Sequence, residues 1–117
     1  MSGGVVMAEN RMLQQMGEIG LRYLKRTLVE IATLRGLLEK LRAGETSRRK
    51  EIEQLSHKIH GSGAMFGFDN LSHDAHQVEL LAAGDEADSV ELYAKLERLI
   101  GALEDAAAVS ARERGIQ

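Results

Sequence analysis

Apolar residues return along this chain at spacings of three and four, the period of a helix that buries one face. Leu24, Leu28, Ile31, Leu34, Leu38 and Leu41 form the longest such stripe and predict a helix over Leu21–Leu41. Ile52, Leu55, Ile59, Gly63 and Phe66 share one face of a second helix over Ser47–Phe66. Leu71, Ala75, Val78 and Ala82, with Leu81 at the edge, predict a third over Leu71–Ala83. Val90, Tyr93, Leu96, Ile100, Leu103 and Ala107 stripe the last.

The connections carry their own signals. Ala43-Gly44-Glu45-Thr46 reads as a stop followed by a start. Gly44 suits a left-handed C-terminal cap, and Thr46 or Ser47 suits an N-cap. Gly67-Phe68-Asp69-Asn70 reads as a turn, with Asp69 or Asn70 available to cap the next helix, and Gly84-Asp85 as another. Residues 1–8 have no periodic pattern and read as a flexible leader. A short helix over Glu9–Met16 follows, and Gly17 and Gly20 weaken the path into the long one. The polar tail Ala111–Gln117 is expected to fray. The whole specifies an all-α fold: an antiparallel up-down four-helix bundle with a short extra N-terminal helix, one domain over residues 9–110.

Composition narrows the chemistry. The 117 residues contain no Cys, Pro or Trp, which excludes disulfides, thiolate zinc sites and thiol catalysis. Apolar runs are only a few residues long, so no membrane span is expected. The first residues have no basic region followed by an apolar stretch, so no secretion signal is read, and a cytoplasmic location is the expectation. Net charge is −3, but residues 1–50 carry ten Lys/Arg against five Asp/Glu and residues 51–117 five against thirteen. With four aromatic residues and no dense basic face, the chain fits a nucleic-acid binder poorly.

The chemistry-bearing residues are concentrated. All four histidines lie between positions 57 and 76. At about 100° per residue, His57 points about 160° away from the direction shared by Ile52, Leu55, Ile59 and Phe66, toward solvent. Gly61 and Ala64 continue the same exposed line. A glycine exposed in mid-helix costs roughly 1 kcal/mol relative to alanine. A bare backbone beside an exposed imidazole lets another protein's surface come close to the ring. Gly63 faces inward and reads as close packing.

Residues 56–67 resemble the signature of histidine phosphotransfer (HPt) domains. That signature runs from a small residue and the phosphorylated His through two variable positions, usually Lys, then Gly, Ser or Ala, a small residue, and Phe or Leu before Gly. This chain supplies Ser56, His57, Gly61, Ser62, Gly63, Phe66 and Gly67 in register, and Leu71, Ala75, Val78 and Glu79 resemble the family's next helix. The likeness extends from about residue 18 to 108.

The resemblance implies a four-helix bundle and a phosphorelay intermediate in which His57 carries a phosphoryl group to and from aspartates of response-regulator receiver domains. It implies an upstream hybrid sensor kinase as a further partner, no cofactor in this chain, and Mg²⁺ only in the receiver. A neutral imidazole is a competent nucleophile near pH 7, since its unperturbed pKa is about 6.5. Glu79 matches a position that can hydrogen-bond the second ring nitrogen. Where the family usually has Lys, this chain has His60, which supplies charge only when protonated. Lys58 is a possible substitute, although it points well away from His57 along the helix. Lys50, two turns before His57, joins Gly61 and Ala64 on the expected receiver-docking surface. A monomer is expected.

Two other readings compete. His57-x-x-His60 and His73-x-x-His76 are metal-ligand spacings on consecutive helices. By the same angle count their faces diverge in a bundle, so no four-His metal site is expected. The alternative function is a helical interaction or His-based metal-binding module without phosphoryl transfer. The stretch Gly61–Gly67 is not a dinucleotide fingerprint, and no P-loop is present, so no nucleotide site or kinase catalytic activity is expected.

Overall fold

The computed structural model describes residues 3–84 and 89–113. Among them lie four helices: α1 (Gly3–Arg42), α2 (Arg48–Met65), α3 (Asp69–Ala83) and α4 (Ser89–Glu113), with no strand. Each helix packs on its neighbours in the chain, and α1 closes the ring by packing on α4. The protein is thus an all-α up-down four-helix bundle.

The turns are built by two glycines. Gly44 has φ +96° and Gly67 φ +81°, the left-handed region that side chains with a Cβ disfavour. At each, two backbone amides turn back onto the last helical carbonyls: Gly44 N–H to Leu41 and Glu45 N–H to Lys40 after α1, Gly67 N–H to Ala64 and Phe68 N–H to Gly63 after α2. This closes both helices without a side-chain cap. Arg49 ties the start of α2 to the end of α3, donating to the carbonyl of Leu81 at 2.7 Å.

Several expectations change. α1 is continuous from Gly3 to Arg42, so the leader and the separate short helix merge into it. Gly17 and Gly20 lower helix propensity but do not remove a hydrogen bond. Met1 and Ser2 lie outside the described residues. α4 runs on to Glu113, past the expected fraying point, and Arg114–Gln117 lie outside the described residues, as does Asp85. Ser47 occupies the N-cap of α2 and Phe68 that of α3, neither with a side-chain capping bond, so Asp69 and Asn70 are already inside the helix.

The core is mainly leucine and isoleucine, with Leu34, Ile52, Ile59, Leu92, Leu96, Leu99 and Leu103 sealed from solvent. Leu28 is 53% exposed, because Thr27 takes the inward position in the stripe. The Thr27 hydroxyl donates to the Tyr23 carbonyl at 2.8 Å, which removes the cost of burying it. Val90 is 70% exposed, and α4 instead buries the row through Leu92, Leu96, Leu99 and Leu103. Phe66 is half-buried and stacks on Tyr23 at 4.3 Å between ring centres.

Candidate functional site: a histidine cluster on one carboxylate

The site forms where α2 and α3 approach closely. Gly63 is the reason they can. A Cβ there would lie 3.3 Å from the Ser72 amide nitrogen and 3.5 Å from Leu71 Cγ. The Ser72 hydroxyl donates to the carbonyl of His60 at 2.8 Å and fixes the register of the two helices. Ser56, Ser62 and Ser72 are all buried along this seam.

Above it His57 stands out, with 73% of its side chain exposed. Its Nδ1 lies 2.8 Å from Oε1 of Glu79, whose side chain is only 22% exposed. Burial works to raise the Glu79 carboxyl. The hydrogen bond and charge of His57, followed by the charges of His76 and His60, outweigh it and hold Glu79 below the usual carboxylate range. An ionised carboxylate can only accept, so His57 Nδ1 carries the hydrogen. In a neutral ring that leaves Nε2 with its lone pair free.

The second oxygen of Glu79 has other neighbours. His60 Nδ1 and His76 Nδ1 each lie 3.7 Å from Oε2. The two rings face each other at 4.8 Å between centres. The expectation that the two His-x-x-His faces diverge is therefore corrected for one member of each pair. His60 and His76 meet across the seam. His73 does not join them; it is exposed and lines a separate depression with Asn70, Asp74 and Arg98. His76 is the residue that sequence reasoning left out of the site. Its signal was present: it stands one turn before Glu79, on the same line of α3.

The remaining residues fall around this centre. Lys58 is exposed and lines an open depression with Glu53, Gln54, His57 and Glu79. Its charge also reaches the buried Glu30 of α1. Lys50 is exposed and pairs with Glu53 at 3.6 Å. Gly61 is exposed, and a Cβ there would meet nothing within 4 Å. Ala64 is exposed one turn further along. Ser62 is buried and donates to the Lys58 carbonyl at 3.0 Å.

A family model, that of the Hpt domain, matches residues 22–106, well over half of the chain. The chain belongs to the Hpt domain family. Histidine phosphotransfer in phosphorelay, two-component signalling is therefore its general function, as a phosphocarrier module working with receiver domains and histidine kinases. No curated protein and no solved structure matches it. Among the described residues no helix is long and apolar enough to cross a membrane.

Proposed function

We propose that His57 is the phosphoryl-carrying residue and exchanges the group with the aspartates of response-regulator receiver domains. The observation that carries this reading is the exposed imidazole held through Nδ1 by Glu79 at 2.8 Å. In the forward step the Nε2 lone pair attacks phosphorus of a receiver acyl phosphate. The N–P bond forms as the P–O bond to the aspartate carboxyl breaks, and the carboxylate leaves with the bonding pair. The proton stays on Nδ1, so the ring becomes cationic, and the Glu79 carboxylate faces that charge. The reverse step runs along the same path.

The surroundings suit docking. The bare backbone at Gly61 and the small Ala64 leave room beside the ring for a receiver surface, and Lys50 supplies positive charge nearby. Lys58, which the angle count turns away from His57, lines the same depression as that ring and offers phosphoryl oxygens a permanent cation. His60, expected in that role, is turned instead toward Glu79 and His76. The transfer needs no cofactor or nucleotide from this chain, and Mg²⁺ belongs to the receiver.

The test is to mix the protein with phosphorylated receiver and follow acid-labile, base-stable label. His57→Gln should abolish labelling while leaving the four-helix fold intact, at the cost of the Glu79 hydrogen bond, on the order of 1 kcal/mol. Label that persists in His57→Gln on peptides containing His60, His73 or His76 would overturn the assignment.

A further inference from the structure

The second oxygen of Glu79 and the two rings beside it are left over from the phosphotransfer reading. We infer that His60, His76 and Glu79 form a site for one divalent transition-metal ion of the zinc class, and that the ion acts on His57 through the carboxylate they share. The second half rests on the reading of His57 given above; the first does not.

The three residues each offer one ligand atom, and those atoms all lie within 4.8 Å of one another. The separations of 3.7 Å from Glu79 Oε2 to each imidazole Nδ1 are too long for hydrogen bonds, which run to about 3.2 Å. They are near the spacing of about 3.4 Å between two donors held at about 2.1 Å on a tetrahedral ion. His76 Nδ1 and Glu79 Oε2 are both shielded from solvent and have no hydrogen-bond partner. Buried polar atoms are ordinarily satisfied, so two facing orphans of this kind point to a shared ligand. Two imidazoles with one carboxylate make a borderline nitrogen–oxygen set. It suits Zn²⁺, Ni²⁺, Co²⁺ or Cu²⁺ better than Mg²⁺ or Ca²⁺, which favour oxygen.

The scaffold is rigid. His76 and Glu79 are one turn apart on α3, and His60 is fixed opposite by the Ser72 bond to its own carbonyl. His57 and His73 are outside the set, so this is not the four-His arrangement considered from spacing. His57 uses Oε1 and the ion would use Oε2. An ion on Oε2 draws electron density from the carboxylate and weakens its hold on the Nδ1–H of His57. Occupancy is thereby expected to slow phosphoryl acceptance.

The experiment titrates Zn²⁺ into the 117-residue chain by calorimetry, with thermal melting alongside. One ion per chain and a rise in Tm are expected. His76→Gln and His60→Gln should each weaken binding by about tenfold or more, and His73→Gln should leave it within about twofold. No saturable binding, equal binding by His76→Gln, or equal loss in His73→Gln overturns the site. Labelling by phosphorylated receiver is then compared with Zn²⁺ and with a zinc-selective chelator. Zinc should slow labelling several-fold in the wild type and leave His76→Gln unchanged; equal slowing of both places the effect on the receiver and overturns the coupling. Label with chelator but no zinc binding refutes the metal site alone. Zinc binding without label at His57 refutes the phosphocarrier reading and the coupling built on it.

Discussion

Along the α1–α4 seam the buried contacts come from large side chains, among them Leu34, Leu38, Leu96, Leu99 and Leu103, with the Arg35–Glu104 and Arg42–Glu97 ion pairs at the rim. Along the α2–α3 seam small and polar residues, Ser56, Ser62, Gly63, Ser72 and Ala75, are set among the apolar Ile52, Ile59, Leu71 and Val78. Large side chains remove much apolar area from water, at about 25 cal/mol per Å², and hold their helices by volume. Small ones let backbones approach until a serine on one helix reaches a carbonyl on the other, and until flanking polar residues meet. The first seam is filled by large side chains, and the second sets small ones among its large ones and so brings four titratable residues around one point. The rim ion pairs change this little, since exposed pairs contribute about 0–1 kcal/mol.

The contrast can be broken by three substitutions. The largest expected effect is on Leu99, which is sealed in the core. Leu99→Ala should cost about 2–5 kcal/mol in denaturant unfolding. Below its melting range it should still accept label at the wild-type rate, because Leu99 lies on α4 and supplies no group to the site on α2 and α3. A slowed rate in the folded variant would mean that the two seams are not separable.

Gly63 reverses the pattern. Adding a methyl group places it 3.3 Å from the backbone nitrogen of Ser72, which can move only if α3 moves. Overpacking of this kind costs about 1–3 kcal/mol, against which alanine regains about 1 kcal/mol of helix propensity. Gly63→Ala should therefore lose only about 1 kcal/mol yet slow labelling markedly, since any shift of α3 lengthens the His57–Glu79 bond. Normal labelling kinetics in Gly63→Ala would show that the close approach is not needed for transfer.

The smallest effect concerns Glu30, which belongs to neither seam's apolar row. Burial raises its carboxyl above the usual value near 4.5, and the charges of Arg26 and Lys58 only partly offset this. Because the folded state favours the protonated form, the contribution of Glu30 is most favourable below pH 4.5 and becomes less so as pH rises through the raised value. Glu30→Gln should melt slightly higher than wild type at pH 7, with the gap closing as pH falls to 4.5. A gap that widens on acidification would refute this.

Helix positions and the glycine turns were legible because periodicity and left-handed caps are local properties. The placement of Gly44 and Gly67, the exposure of His57 and the neighbourhood of Glu79 all follow from spacing or from resemblance to a motif. Leu28 and Val90 were misread because an apolar residue at a stripe's edge looks like one at its centre; Thr27 holds the centre once its hydroxyl bonds to its own helix. The meeting of His60 and His76 was not legible. An angle count places each ring against its own helix alone. Whether two flanks touch depends on how closely the axes approach, and Gly63 sets that distance.

The ring of helices closes at α1 and α4, the first and last in the chain, and residues 43–88 span the interval. That interval contains His57, Glu79 and the whole α2–α3 hairpin. The hairpin therefore also acts as a tether: it holds the two leucine-rich helices at a high effective concentration, so that their association is intramolecular. Closing the three-residue connection between α2 and α3 costs little chain entropy, whereas closing the longer interval costs more. A single cut within it would turn the α1–α4 contact into a meeting of two separate chains, burdened with the translational and rotational entropy that the tether otherwise absorbs.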